Sequence, residues 1–581
     1  MPATLDPSRS TPSPPDAPDA LGAHVRAPAC APARRWIWAL LGLAVAAAWI
    51  WALDARHLLR SDEGRYAEIA REMVTSGDWV TVRYLGLKYF EKPPLQMWMT
   101  ALAFEAFGVG EWQARLWVGI AGAGAIALTA WAALRGWGRR AAVATALVLL
   151  AAPTWNLASH FNSLDMGVSA ALAAVLAALL LAQRQGADAQ AAPARRRRWM
   201  LAAWAAMAAA VLTKGLIGIV LPGLALVVYT LAARDWALWR RLQIVGGALL
   251  FLLITAPWFV IVSQRNPEFA WFFFIHEHWQ RYTSTVHQRG EPIWYFVPQL
   301  LAGFLPWIGL APAMVAALRA EPARGFRPLL FCACWAASIF AFFSLSGSKL
   351  PGYILPVFPA LALIAGVALT TMDARRWRRQ IVAMAIVAAA ALAASPLVAR
   401  VGSAEEAAQF ARFAVWIGCA AALLLAALAL AWLLNRRGQL GASIAAYALG
   451  FFAATTVGMV GHEALGRAIS GVDLVPPIEA VLQPAMPIYA VRLLDHTLPF
   501  YLRRTMILVE QPDELEFGVQ QEPQKWLPTL AAFRSAWRAG QPALALMNHA
   551  TYAELQADHL PMTVVAQDER RVVVANFEPH R

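Results

Sequence analysis

Cysteine is scarce, with four residues in a chain of 581. Cys332, Cys334 and Cys419 lie inside apolar runs and Cys30 stands alone near the start, which excludes a disulfide framework and a thiolate metal site. Charge is scarce as well. Only 15% of residues are Asp, Glu, Lys or Arg, against about 25% in an ordinary soluble domain. Acids are the rarer sign, 36 against 49 Lys and Arg, for a net charge of +13. A nucleic-acid reader would gather that excess on one soluble face, whereas here it is scattered through short loops, so no nucleic-acid partner is expected. What fills the chain instead is apolar: 59% of residues, with a mean hydropathy of +0.49. The bilayer is its main solvent.

A helix needs roughly 20 apolar residues to cross the hydrocarbon core. Thirteen runs approach that length: 36–55, 112–134, 141–157, 166–184, 199–213, 216–232, 242–262, 297–317, 328–345, 352–371, 380–398, 412–434 and 443–461. With the N-terminus inside, every second loop is basic, as cytoplasmic loops should be. These loops carry Arg135/Arg139/Arg140, Arg195 to Arg198, Arg234/Arg240/Arg241, Arg319/Arg324/Arg327, Arg375 to Arg379 and Arg436/Arg437. The alternation requires the short stretch 93–108 to be interfacial rather than spanning, because counting it would turn every later basic loop outward. Residues 1–34, rich in Pro, Ala and Ser, read as a disordered cytoplasmic tail, and the first apolar run as an uncleaved anchor. The expected domains are therefore 1–34, a transmembrane region 35–461 and an outer domain 462–581. Outer loops are expected at 56–111, 158–165 and 263–296.

From His462 the composition becomes that of a soluble domain. Met486–Leu494, Arg504–Glu510, Ala543–Asn548 and Met562–Asn576 read as strands and Leu527–Ala539 as a helix, a small α/β domain without a catalytic motif of its own.

In a membrane protein, polar groups near the hydrocarbon boundary are functional candidates, and the outer loops hold four clusters. Ser61-Asp62-Glu63-Gly64-Arg65-Tyr66 opens a helix with Tyr66, Ile69 and Met73 on one stripe, as in a helix lying on the membrane surface. Ser61 is a cap candidate, and the two carboxylates equally suit a helix N-terminus with no further task. Lys88-Tyr89-Phe90-Glu91-Lys92-Pro93-Pro94 offers an ammonium to a lipid phosphate, or a lysine that merely snorkels. Asp165 ends Ser159–Asp165 and either caps the next span or joins Asp62 on the same membrane face. His276-Glu277-His278-Trp279-Gln280-Arg281-Tyr282 mixes possible metal donors with an arginine whose fork suits phosphate. A zinc site needs a third or fourth ligand, and none is local. Lys349, in the tight turn Ser346–Tyr353, is either a ligand or an interfacial anchor.

The order of these signals is more specific than any one of them. Asp62-Glu63, Glu91-Lys92-Pro93-Pro94-Leu95, Asp165 before a span, Thr213-Lys214-Gly215, His276 to Tyr282 and Ser348-Lys349-Leu350-Pro351-x-Tyr353-x-Leu355-Pro356 resemble the bacterial lipid A 4-amino-4-deoxy-L-arabinose transferases. These belong to the protein-mannosyltransferase-like clan with the GT-C fold. The resemblance runs from about residue 36 onward. It implies transfer of aminoarabinose from undecaprenyl phosphate to a lipid A phosphate at the outer leaflet of the bacterial inner membrane, giving polymyxin resistance, by a monomer among membrane lipids. It also implies Asp62 and Asp165, with Glu63, as active-site acids. Lys92, Arg281 and Lys349 become ligands of the carrier phosphate, and Tyr66, Tyr89 and Tyr353 line the sugar pocket. Glu91 with His276 or His278 corresponds to a metal pair such as zinc would use, although the chemistry requires no cofactor. Two other readings compete with this one. A sister enzyme would glycosylate a protein or another glycan. A transporter would place its ionisable groups at the midplane of paired repeats, but the acids here gather in outer loops and no half is duplicated.

Overall fold

The computed structural model describes residues 32–183, 192–280, 291–323, 325–404 and 406–578, with backbone alone at 32–35, 192 and 278–280. Residues 1–31 of the expected tail lie outside the described residues, as do Arg281 and the side chain of His278, while the backbone of 32–34 already belongs to the first helix. The described residues fall into two units divided between Trp49 and Ile50. The first ends within helix α1, Pro32–Asp54, and the rest of the molecule is described by itself.

Nine helices among the described residues are long and apolar enough to cross a bilayer, by length and composition. Each of the other four expected runs is also helical, and each falls short for a visible reason. The run 141–157 is split into α5, Arg139–Leu150, and α6, Pro153–Ala158, where a proline starts the second piece. The run 199–213 lies in α8, Ala192–Lys214, whose first turns carry Arg195 to Arg198. The run 216–232 is α9, Ile217–Ala233, only 17 residues long and containing Pro222. The run 297–317 is bent by 82° between Phe296–Gly303 and Leu305–Ala320.

The stretch that had to stay out of the membrane core is α3, Leu95–Phe107. Its 13 residues reach about 20 Å at about 1.5 Å each, short of a hydrocarbon core of about 30 Å. The helix buries polar side chains as well as apolar ones: Gln96 donates to Asn162 Oδ1 at 2.9 Å, and Thr100 is fully covered.

Helix α2, Asp62–Ser76, departs from expectation. Every residue from Glu63 to Met73 is buried, including Glu68, Arg71 and Glu72, so this is not a helix with one wet face on a membrane surface. The stripe of Tyr66, Ile69 and Met73 packs into a core that continues into the C-terminal segment through Leu474, Ile478, Phe500 and Leu515. Gly64 is the point of closest approach, since a Cβ there would run into the backbone carbonyl of His496. Ser61 makes no side-chain cap. The short hairpin after α2, β1 (Arg83–Tyr84) with β2 (Leu87–Lys88), is held by Glu72, whose carboxylate accepts from Leu85 N at 2.6 Å and Gly86 N at 2.9 Å.

The remaining labelled spans are α4, Glu111–Trp137, and α7, Leu164–Gln183. The C-terminal segment forms a five-stranded sheet of β3 (Ile488–Val491), β4 (Ile507–Val509), β5 (Leu544–Met547), β6 (Thr563–Gln567) and β7 (Val572–Ala575). Their order is β4-β3-β5-β7-β6; β3 runs parallel to β4 and β5, and β7 antiparallel to its neighbours. The stretch 562–576, expected as one strand, is the hairpin β6–β7, because Asp568 Oδ1 accepts from the amides of Arg570 and Arg571 and closes a turn. The expected helix is Leu530–Arg538, capped by Thr529.

Candidate active site

A cavity of about 540 Å³ opens where residues 62–66 and 91–92 meet the start of α7, the end of α8, the segment 271–277, the turn 350–353 and the C-terminal segment. Asp62 stands at the first position of α2, and Arg65, one turn on, lies on the same face. The guanidinium of Arg65 bridges Asp62 and Glu514 and covers the ring of Tyr66 at 5.1 Å. Glu514 comes from Asp513–Leu515, more than 400 residues away, and completes this wall.

Asp165 in the first turn of α7 pairs with Lys214 at the end of α8, and the ammonium lies 4.6 Å from the centre of the Tyr353 ring. Gly352 is bare because a Cβ would meet the Asp165 carboxylate. In the same cavity, Lys92 Nζ donates to Glu91 O at 2.9 Å and lies 3.2 Å from Glu277 Oε2. His276 stacks on Phe272 and lines the same cavity. A smaller cavity of about 130 Å³ shares Lys92, Asp165, Lys214 and Tyr353 and extends among Val168, Ile217, Phe342 and Phe343, an apolar continuation of the polar chamber.

Of the residues singled out by sequence, Asp62, Asp165, Lys92, Tyr66, Tyr353, Glu91 and His276 therefore share one wall. Glu63, Tyr89 and Lys349 do not. Glu63 is fully buried against Arg115, Nε to Oε1 2.6 Å, because a carboxylate inside the fold needs a charged partner. Tyr89 lies behind the wall, its hydroxyl 3.3 Å from Glu91 Oε2 and its ring edge-on to Tyr84. Lys349 spends its ammonium on two carbonyls, Ser346 O at 2.6 Å and Glu291 O at 2.9 Å, which makes it a turn anchor.

Sequence reasoning assigned no role to Arg65, Lys214, Glu277 or Glu514. The spacing of Arg65 from Asp62 was readable, and Lys214 is an ionisable residue ending an apolar run, itself a signal. Glu514 carries no local signal.

The chamber is internally neutralised. Lys92 faces Glu91 and Glu277, Lys214 faces Asp165, and Arg65 faces Asp62 and Glu514. Any anion binding here would compete with these carboxylates for the cations. Burial pushes the Glu514 carboxyl up to about 7, against the pull of Arg65 and with the push of Glu91, Asp513 and Asp62. Among the described residues no three His, Cys, Asp or Glu side chains form a metal-binding group. Glu91 and His276 supply two donors, the Lys92 ammonium already lies against Glu91 and Glu277, and a protein zinc site ordinarily has three or four ligands. The set as it stands does not fit a zinc ion.

Comparison with known proteins places this geometry. Residues 36–273 match the family described as dolichyl-phosphate-mannose-protein mannosyltransferase, and residues 474–576 match the aminoarabinose transferase C-terminal domain. The undecaprenyl phosphate-alpha-4-amino-4-deoxy-L-arabinose arabinosyl transferase of Erwinia tasmaniensis is 34% identical over 54% of this chain and 55% of its own length. Its counterpart in Pseudomonas aeruginosa strain UCBPP-PA14 is 36% identical over 58% of this chain and 60% of its own length. The chain thus spans 55 to 60% of these curated relatives. The crystal structure of ArnT from Cupriavidus metallidurans bound to undecaprenyl phosphate is 52% identical, with 94% of this chain and 98% of that one covered and a TM-score of 0.90. Near-complete coverage at that identity, with matches at both ends of the chain, means that this multi-pass membrane protein of the GT-C fold belongs to the ArnT family of aminoarabinose transferases.

Proposed function

We propose that the chain transfers 4-amino-4-deoxy-L-arabinose from undecaprenyl phosphate to a phosphate of lipid A. The observation that carries this reading is a cavity in which Asp62, Asp165 and Lys92 share one wall, continuous with an apolar recess, in a chain 52% identical to a structure holding undecaprenyl phosphate. In the reaction an acceptor oxygen bonds to the anomeric carbon as the bond from that carbon to the carrier phosphate breaks, and undecaprenyl phosphate leaves. Lys92 receives the charge developing on the leaving phosphate, with Arg281 as the second expected cation. A phosphate monoester, with a second pKa of about 6, is already largely anionic near pH 7 and needs no strong base. Asp62, held by Arg65, then orients the acceptor or binds the ammonium of the amino sugar, while Asp165 pairs with Lys214 beside the Tyr353 ring.

The site residues, the boundaries 35–461 and 462–581, the monomeric state and the placement of site and C-terminal domain on the periplasmic side of the inner membrane belong to the same proposal. The alternating basic loops and the joint core of α2 with the C-terminal segment support the placement. The chemistry needs no metal. The mannosyltransferase match keeps one other reading alive, transfer to a protein or another glycan.

Purified protein supplied with undecaprenyl-phosphate-linked aminoarabinose and lipid A, with the mannosyl carrier in parallel, tests the proposal. Mass spectrometry of lipid A should show the aminoarabinose adduct with the wild type and none with Asp62→Ala. Transfer only from the mannosyl carrier, or equal transfer by Asp62→Ala, would overturn it.

A further inference from the structure

Glu63 adjoins Asp62 in sequence but is not part of the cavity wall, and its carboxylate is tied to three separate segments. Oε1 accepts from Arg115 Nε at 2.6 Å and from Asn162 N at 3.0 Å, while Oε2 accepts from Arg115 Nη2 and from Leu59 N, both at 3.0 Å. Arg115, in the first turns of α4, is 0% exposed and engages every nitrogen of its fork. Nη1 donates to the carbonyls of Leu53 at 2.9 Å and Arg56 at 2.6 Å, and Nη2 also to that of His57 at 2.9 Å. Arg56 extends the network: its Nη2 donates to His160 O at 2.8 Å and its Nη1 lies 3.8 Å from Glu63.

The consequence is geometric. The segment ending in Asp62 and the loop ending in Asp165 make their polar connections to each other through this buried group, at Glu63 to Asn162 and Arg56 to His160. Both acids line the same cavity, so their spacing depends on how these loops are held. A planar guanidinium bonded through all its donors is well suited to that task, since it allows few alternative arrangements.

We infer that Arg115, Glu63 and Arg56 are positioning residues that hold the Asp62 and Asp165 loops at the spacing the transfer requires. The inference rests on the active-site reading above. Lys92 and its partners Glu91 and Glu277 lie outside the network, so carrier-phosphate binding is separable from it.

The test is the double variant Glu63→Gln/Arg115→Gln, which removes the closest buried ion pair as a unit, assayed beside Arg56→Gln and Asp62→Asn with thermal melting of each. Misplacement of reacting groups by about 1 Å costs on the order of 100-fold in rate. The double variant should lose about that much in kcat, while its KM for the lipid-linked sugar stays within about threefold of wild type. Arg56→Gln should show the same split with a smaller loss, about 10-fold, and decides the matter if the double variant does not fold. A folded variant with kcat near wild type, or kcat and carrier affinity falling together with the folded fraction, would overturn the inference. If that happens while Asp62→Asn is inactive, only the positioning role falls. An active Asp62→Asn would remove the active-site reading and this inference with it.

Discussion

At the residue scale, the cavity is a set of ion pairs. Lys92 is half-buried and held by one carbonyl and two carboxylates, so under the proposed function it offers the carrier phosphate a cation already held in place. Lys92→Ala should lower kcat/KM by about 100- to 1,000-fold, the usual loss for one such donor, with an unchanged melting temperature; both are measurable on purified protein. Glu514 predicts a pH effect. Its carboxyl is pushed up to about 7 from the ordinary carboxylate range, first by burial. The folded state therefore favours the protonated form, and the stabilisation this gives is complete at low pH and lost as pH rises through 7. Melting temperature should fall across that interval, and the pH profile of kcat/KM should bend near the same value as Arg65 gains a charged partner. Glu514→Gln should remove both features, and a profile unchanged by the substitution would show that another group titrates. Arg65 could be read from its spacing to Asp62, whereas Glu514 reaches the cavity only because the C-terminal segment folds over α2.

At the element scale, α2 shows how a helix that looks amphipathic can be buried all round. Its apolar stripe was legible; the cover over its other residues was not, because part of it comes from His496, Thr497 and Glu514, far along the chain. Gly64 marks the interface. Gly64→Ala places a Cβ against the His496 carbonyl and the Thr497 side chain, and the backbone atoms among these cannot rotate away. Overpacking of this kind typically costs about 1–3 kcal/mol. Thermal melting should register that loss, together with a fall in transfer as Asp62 and Arg65 move with the helix. The membrane runs were legible because transfer into hydrocarbon is a property of each segment taken alone. The bend of 82° after Gly303 and the break before Pro153 were not read, since the apolar runs continue through both.

At the scale of the whole molecule, the cavity is assembled from seven separate stretches, and the last belongs to a segment with no catalytic motif. Glu514 and Phe517 reach the wall from there, Phe517 stacking on Phe272 with ring centres 3.9 Å apart. Arg83 binds Glu522 from the outer hairpin at 2.9 Å. A chain ending at residue 470 should therefore still insert in membranes but lose transfer, and adding the missing segment as a separate polypeptide should restore little. Undiminished activity of the shortened chain would show that the segment is a passive cover.

The sequence by itself determined the solvent of this protein, the succession of apolar helices, the change to a soluble composition after residue 461 and the presence of acids and cations in the outer loops. These are additive properties of short segments, set by the cost of moving each one from water into hydrocarbon. Tertiary structure alone decided which charges meet. It placed Asp62 and Asp165 on one cavity, took Glu63 into a buried pair with Arg115, turned Lys349 towards carbonyls and brought Glu514 in from the far end of the chain. A charge inside a fold must find a partner, and which partner lies within reach depends on packing between residues up to several hundred positions apart.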